Sequence, residues 1–186
     1  MMASIILSDK SNFNVFKSYW NSALLYQKSN SLPVWPSFPD EIILGEMING
    51  RHYTVCSSDN IIGYFSLTFN DGIIWGELDD GSSIYIHRMV VNPSAKGNKM
   101  AKCVLEWALK YAKALNKTYV RMDTWAKNKI LIDYYKECGY SFLALKQLGV
   151  VSSLPAHYNN LELALFQNCV KSAQQVDAPE PASPAR

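Results

Sequence analysis

The chain has 186 residues, with 18 Lys+Arg, 16 Asp+Glu and a formal charge of +2. That length suits one domain with a core large enough to need no metal or disulfide staple, and a composition 48% hydrophobic and 18% charged excludes a disordered or collagen-like chain. The near-neutral balance argues against a dedicated nucleic-acid binder, no apolar run is long enough for a membrane helix, and Met1–Ser8 has neither the basic start nor the long apolar stretch of a signal peptide.

Ile5–Leu7 is a short β-prone run. Phe13, Phe16, Trp20, Leu24 and Gln27 follow helical spacing, which predicts a helix over 12–28. Pro33, Pro36 and Pro39 make the next stretch a loop. A second helix is expected over 40–49, ended at Asn49-Gly50. Strands are expected over 53–56 and 61–69, joined by a turn at 57–60. The acidic, glycine-bearing stretch 71–82 reads as an irregular arm. Ser83–Val91 is a strand stopped by Asn92-Pro93. A long helix over 99–115 carries Val104, Trp107, Tyr111 and Leu115 as its apolar stripe and Lys102, Glu106, Lys110 and Lys113 on its wet face. Tyr119–Thr124 is a strand, and 128–138 a helix stopped at Gly139. Two last strands are expected over 142–151 and 161–166. The Pro-, Ala- and Gln-bearing tail 171–186 is expected to be disordered, leaving one domain over 1–170. Strands and helices mix without strict alternation, which predicts an α+β domain with a mixed sheet.

Cys56, Cys103, Cys138 and Cys169 have no CxxC spacing and read as reduced thiols of a cytoplasmic protein. P-loop, GxGxxG, GxSxG and HExxH motifs are absent. With three histidines, no metal site is expected; His52 and Cys56 share a strand face but read as a structural pair. The informative stretch runs from Arg88 to Lys129, where ten basic residues stand against Glu106 and Asp123. There a strand, a polar loop and a helix start supply free backbone N–H groups, Gly97 and several lysines, an arrangement suited to a phosphate-bearing ligand; ordinary solvated lysines give the same composition.

Ile86-His87-Arg88-Met89-Val90-Val91-Asn92-Pro93 followed by Lys96-Gly97-Asn98-Lys99-Met100-Ala101 resembles the central motif of the GCN5-related N-acetyltransferases (GNATs), whose loop signature is Gln/Arg-x-x-Gly-x-Gly/Ala. Asn128, Tyr135, Gly139 and Tyr140 resemble that family's second motif, Asn-x6-Tyr-x3-Gly-Phe/Tyr. The resemblance spans about 52–166. It departs from the pattern at Lys96, in place of Gln/Arg, and at Lys99, in place of the central Gly.

The resemblance implies a GNAT-like fold, a mostly antiparallel mixed sheet of about six or seven strands with about four helices, binding acetyl-CoA as cosubstrate. It implies that Met89, Val90 and Val91 pair with the pantetheine arm as an added strand does, that residues 96–101 hold the pyrophosphate, and that Asn128 also contacts the cofactor. Asn128 and Tyr135 are seven residues apart, two helical turns, and so share a face. Tyr135 is the implied general acid, with Tyr134 beside it the more natural core aromatic. Strand alternation puts Tyr85, His87, Met89 and Val91 on one face. His87 has a suitable intrinsic pKa for a base; a structural histidine fits equally. Tyr26, Trp35, Trp75 and Tyr85 are candidate acceptor-site lining, and Glu77, with Asp79 and Asp80, a candidate attraction for a cationic amine. The implied function is acetyl transfer to a primary amine, on a small molecule or a protein, by direct attack in a ternary complex. A non-catalytic acyl-CoA-binding module is the alternative. Neither nucleic acid nor membrane is an expected partner, and the chain is expected to be a monomer or homodimer.

Overall fold

A computed structural model describes residues 3–32, 34–35, 38–58, 60–95, 97, 99–150 and 158–170. Seven strands form one sheet: β1 (Ala3–Leu7), β2 (His52–Ser57), β3 (Asn60–Thr68), β4 (Ser83–Val91), β5 (Tyr119–Trp125), β6 (Phe142–Gln147) and β7 (Glu162–Cys169), in the order β1-β2-β3-β4-β5-β7-β6. Among the described residues five helices accompany them: α1 (Phe13–Ser29), α2 (Asp40–Ile48), the single turn α3 (Gly72–Trp75), α4 (Met100–Ala114) and α5 (Lys129–Glu137). This is the expected α+β class and element order, with one more helix, the turn inside the acidic arm. The expected tail 171–186 lies outside the described residues. Among the described residues, no helix is long and apolar enough to cross a membrane.

Helices α4 and α5 cover one face of the sheet, over Val55, Phe65, Ile84, Ile86, Val120 and Met122. The other face carries α1 and α2 over Tyr64 and Val90, and α3 over Tyr85, Leu163 and Leu165. The stripe on α4 is rotated from its expected position. Its buried row is Val104, Leu105, Ala108 and Ala112, because alanines let the helix axis approach the sheet closely. Trp107 and Tyr111 stack on each other at the flank, with centroids 4.8 Å apart, and Leu115 is exposed.

Two local features of β3 and β4 shape the site. A Cβ on Gly63 would stand 2.3 Å from the Met100 sulfur and 2.4 Å from the Val90 carbonyl oxygen; only glycine lets the head of α4 sit so close to the sheet. Opposite Phe65, β4 bulges. The register shifts between Tyr64 and Ser66, and Arg88 takes φ 51, in the left-handed region. The bulge inverts side-chain alternation downstream of it. Tyr85 packs with α3, whereas Met89 and Val91 pack on the α4 face and Val90 on the α1 face. The expected single face of Tyr85, His87, Met89 and Val91 is therefore corrected: one extra residue turns the strand over.

Candidate active site

Strands β4 and β5 are parallel and pair only from Ser83↔Tyr119 to Ile86↔Met122. Past that point β5 stays with β7, through Asp123↔Leu165, Thr124↔Ala164 and Trp125↔Leu163, while β4 bulges away. The strands part, and the β5-facing main-chain groups of 87–91 have no strand partner. Two cavities meet at this fork, with Trp35, Met89 and Tyr135 bordering both.

The larger, of about 530 Å³, lies between α1, the end of β4 and α5, with mainly apolar walls that include Leu32, Val91, Leu131 and Tyr134. Asn128 opens α5 here. Its side-chain oxygen accepts from the Leu131 N–H at 3.1 Å, so it caps the helix while bordering the cavity. At the head of α4, Lys99 is exposed and left-handed at φ 45, a conformation natural to the glycine that the motif expects there. The Met100 amide has no acceptor among the described residues. Lys96 and Asn98, also expected to hold phosphate, lie outside them. Two of the ten basic residues of the 88–129 stretch do not belong to a phosphate-facing surface. Arg121 is buried, donating from Nε to Gln167 at 2.8 Å, with its guanidinium over the Trp75 and Tyr119 rings. Arg88 is paired with Glu46.

The smaller cavity, of about 120 Å³, lies on the α1–α2–α3 side of the fork. Trp20, Trp35 and Phe38 form an aromatic wall, Trp20 and Trp35 stacked at 4.9 Å. Trp125 and Tyr158 border it as well, and His87, Arg88 and Asp123 supply its charge-bearing groups. Asp71, from the start of the acidic arm, stands behind His87, its Oδ2 3.7 Å from His87 Nε2. A ligand atom of each of Asp71, His87 and Asp123 lies within 4.8 Å of the others. Burial pushes Asp123 up to about 7. Burial first, then the charge of Asp123, pushes Asp71 up to about 7, with Asp79 adding to the rise and Lys146 opposing it. Burial, with Arg88 nearby, holds His87 neutral, well below an ordinary imidazole.

Tyr135 is buried and borders both cavities; burial pushes its phenol well up, so it stays protonated. Its hydroxyl makes no hydrogen bond among the described residues. Tyr134, not Tyr135, is the half-exposed member of the pair, and its hydroxyl accepts from the Ala101 N–H at 3.4 Å. That reverses the expected order, because Tyr135 points between the strands and Tyr134 along the α4–α5 seam.

The other candidates are dispersed. Trp35 borders both cavities, and Tyr26 borders only the larger. Trp75 is corrected: it is buried against Tyr85 and Arg121, away from both cavities. Tyr85 is fully buried, donating to Asp79 Oδ1 at 2.8 Å. Glu77 is exposed and borders neither cavity, and Asp80 accepts from the Ser82 N–H at 2.9 Å. The acidic arm thus approaches the site through Asp71, which sequence reasoning left without a role in the irregular arm 71–82. Asp123 was also missed; its one signal was being the acid beside Met122 in an otherwise apolar and basic stretch. His52, fully buried, engages Ser8 Oγ through Nδ1 at 2.8 Å, rather than the Cys56 it was read with.

Residues 17–140 match the acetyltransferase (GNAT) family. The uncharacterized N-acetyltransferase YesJ of Bacillus subtilis (strain 168) is 32% identical over 79 residues, 42% of this chain and 44% of that protein; the match therefore spans less than half the length of this curated relative. Among solved structures, a GNAT-family acetyltransferase from Listeria monocytogenes 4b F2365 superposes with a TM-score of 0.68 at 15% identity, covering 90% of this chain and 94% of that one. The yncA protein of Salmonella typhimurium, solved with its cofactor acetyl-CoA, gives 0.62 at 17% identity over 97% and 99%. With both motifs, the forked sheet and this match in agreement, the chain belongs to the acetyltransferase (GNAT) family.

Proposed function

We propose that this protein is an acetyl-CoA-dependent N-acetyltransferase acting on a primary amine. The observation that carries the reading is the fork between β4 and β5, where Tyr135 borders an apolar cleft on one side and a carboxylate-bearing cavity on the other. The cleft fits the cosubstrate. Its walls are apolar, the β5-facing main-chain groups of 87–91 are unpaired, and an amide without an acceptor, that of Met100, stands near Lys99 and Lys102. Residues 89–91 hold the pantetheine arm by main-chain bonds, Gly97 to Ala101 hold the pyrophosphate, and the Asn128–Tyr135 face of α5 closes the other side. Acetyl-CoA supplies the thioester.

An ammonium must first lose one proton to become a nucleophile. Asp71 and Asp123, near 7, match the working pH. His87 is too weakly basic to store the proton and stands as their neutral neighbour, which moves the base role expected of His87 onto the carboxylates. The amine nitrogen then bonds to the acetyl carbon and the carbon–sulfur bond breaks. The nitrogen sheds a second proton, balancing the one the thiolate receives. Tyr135 donates to that thiolate. Its raised pKa makes complete transfer uphill, by about 1.4 kcal/mol per unit of mismatch, so its contribution is a strong hydrogen bond to the departing sulfur.

Calorimetry with acetyl-CoA and a coenzyme A release assay over an amine panel test the reading. Micromolar binding and amine-dependent release of free thiol, with an N-acetyl product by mass spectrometry, are expected. Binding without turnover on any amine would leave only an acyl-CoA-binding module, and absence of binding would remove the cosubstrate altogether.

A further inference from the structure

We infer that the acceptor is a compact primary amine with an apolar or aromatic body and no carboxylate, held as its ammonium by Asp123 beside His87, with the charge of Asp71 behind them. The inference rests on the proposed acetyl transfer and names its substrate class. It begins with unbalanced charge. The Asp123 carboxylate bonds to no side chain among the described residues, and Asp71 Oδ2 is buried without a hydrogen-bond partner. Lys146, on β6, is near enough to act on Asp71 but bonds to neither acid. Burying carboxylates costs free energy unless a cation compensates them, and a ligand ammonium is the compensation this cavity lacks.

Arg88 is the one cation bordering the cavity among the described residues, and it is already engaged. Its Nη1 donates to Glu46 Oε1, Glu46 Oε2 accepts from Ser66 Oγ at 2.5 Å, and its guanidinium lies 4.9 Å from the Phe38 ring centroid. A carboxylate on the acceptor would therefore meet Asp123, the nearby charge of Asp71 behind His87, and a neutralised arginine. Much of the rest of the wall is aromatic, with Ile86, Met89 and Met122 adding apolar surface, which suits an apolar body and the face of an ammonium. At about 120 Å³ the cavity lies below the 300–1,000 Å³ usual for drug-sized ligands, so the body is small.

Phenethylamine and phenylalanine separate these features, since they differ by a single carboxylate. With saturating acetyl-CoA, kcat/KM for phenethylamine should exceed that for phenylalanine by at least about 100-fold, and also exceed that for a lysine-bearing peptide. Asp123→Asn should lower kcat/KM for phenethylamine by about 100-fold while the acetyl-CoA Kd stays within about threefold. Glu46→Gln frees the Arg88 charge and should narrow the phenethylamine-to-phenylalanine ratio at least tenfold; this ratio needs only enough folded protein to turn over. Turnover of phenylalanine or the peptide at rates equal to or above phenethylamine would overturn the inference and leave acetyl transfer standing. Acetyl-CoA binding with neither amine acetylated would overturn it too, and no binding of acetyl-CoA would overturn the proposed function itself.

Discussion

The two cavities at the fork are built from different parts of the chain. The larger one is made by three runs of neighbouring residues: one face of α1, the unpaired end of β4 and one face of α5, with the head of α4 beyond it. The smaller is made by side chains from distant segments, with His87 and Arg88 on β4, Asp123 and Trp125 on β5, Trp35 in a proline-rich loop and Tyr158 before β7, and Asp71 after β3 standing behind His87. The contrast teaches where constraint falls in such an enzyme. On the proposed function, the cofactor is held largely by main-chain geometry, which tolerates changes of side chain, and the acceptor is recognised by side chains free to vary.

The contrast breaks most sharply at Tyr135, the residue both cavities share. Tyr135→Phe should lower kcat by about 10²–10⁴ with the acetyl-CoA Kd changed by less than about threefold, measured by CoA release and calorimetry. A proportional loss of both would place the hydroxyl in binding rather than turnover. Gly63→Ala strikes the backbone-built side. The added methyl meets Met100 and the Val90 carbonyl oxygen, so denaturant unfolding should show a loss of about 2–3 kcal/mol, and acetyl-CoA should bind at least several-fold more weakly. Full stability and affinity would contradict the close approach of α4 to β3.

Asp123→Asn sharpens the other side through pH. Asp71 and Asp123 hold their protons to about 7 in the folded chain and to about 4 when unfolded. Their contribution to stability is fully present below about pH 4 and is lost as pH rises through about 7. Removing one of them should therefore raise the melting temperature relative to wild type at pH 8, by about 4 °C, and leave it unchanged at pH 4. His87 and His52 are shifted down, so their contributions have the opposite slope, present above about pH 6.5 and lost as pH falls; the wild-type optimum should lie between the two. A gain equal at both pH values would deny the two acids their raised pKa. The smallest effect belongs to Lys99→Gly, which relieves a left-handed lysine but loosens the unfolded chain. A net stability change of less than about 1 kcal/mol and a modest rise in acetyl-CoA Kd from the lost charge are expected in thermal scans and calorimetry.

Much of the backbone-built cavity was legible in the chain because its determinants are local. Asn92-Pro93 stops β4, α4 follows within a few residues, and Asn128 and Tyr135 share a helix face by spacing alone. Lys99 even announced its backbone, since it stands where a glycine is expected and takes a glycine's φ. Trp75 and Glu77 misled because an aromatic and an acid in a polar arm look alike whether they face a cavity, a neighbouring arginine or water. Asp71 and Asp123 were overlooked because nothing in sequence separates a solvated acid from one that folding buries beside another acid.

The sequence by itself determined the element order, the α+β class, the two motifs and the helix that carries Tyr135, because periodicity, turn residues and spacing act over a few residues. Only the tertiary structure decided which residues border the smaller cavity. One left-handed residue, Arg88, turns β4 over, and the parting of β4 from β5 brings Asp71, His87 and Asp123 together across 52 positions of chain. Burial and long-range charge, which set their proton affinities, are properties of that assembled neighbourhood and of no segment within it.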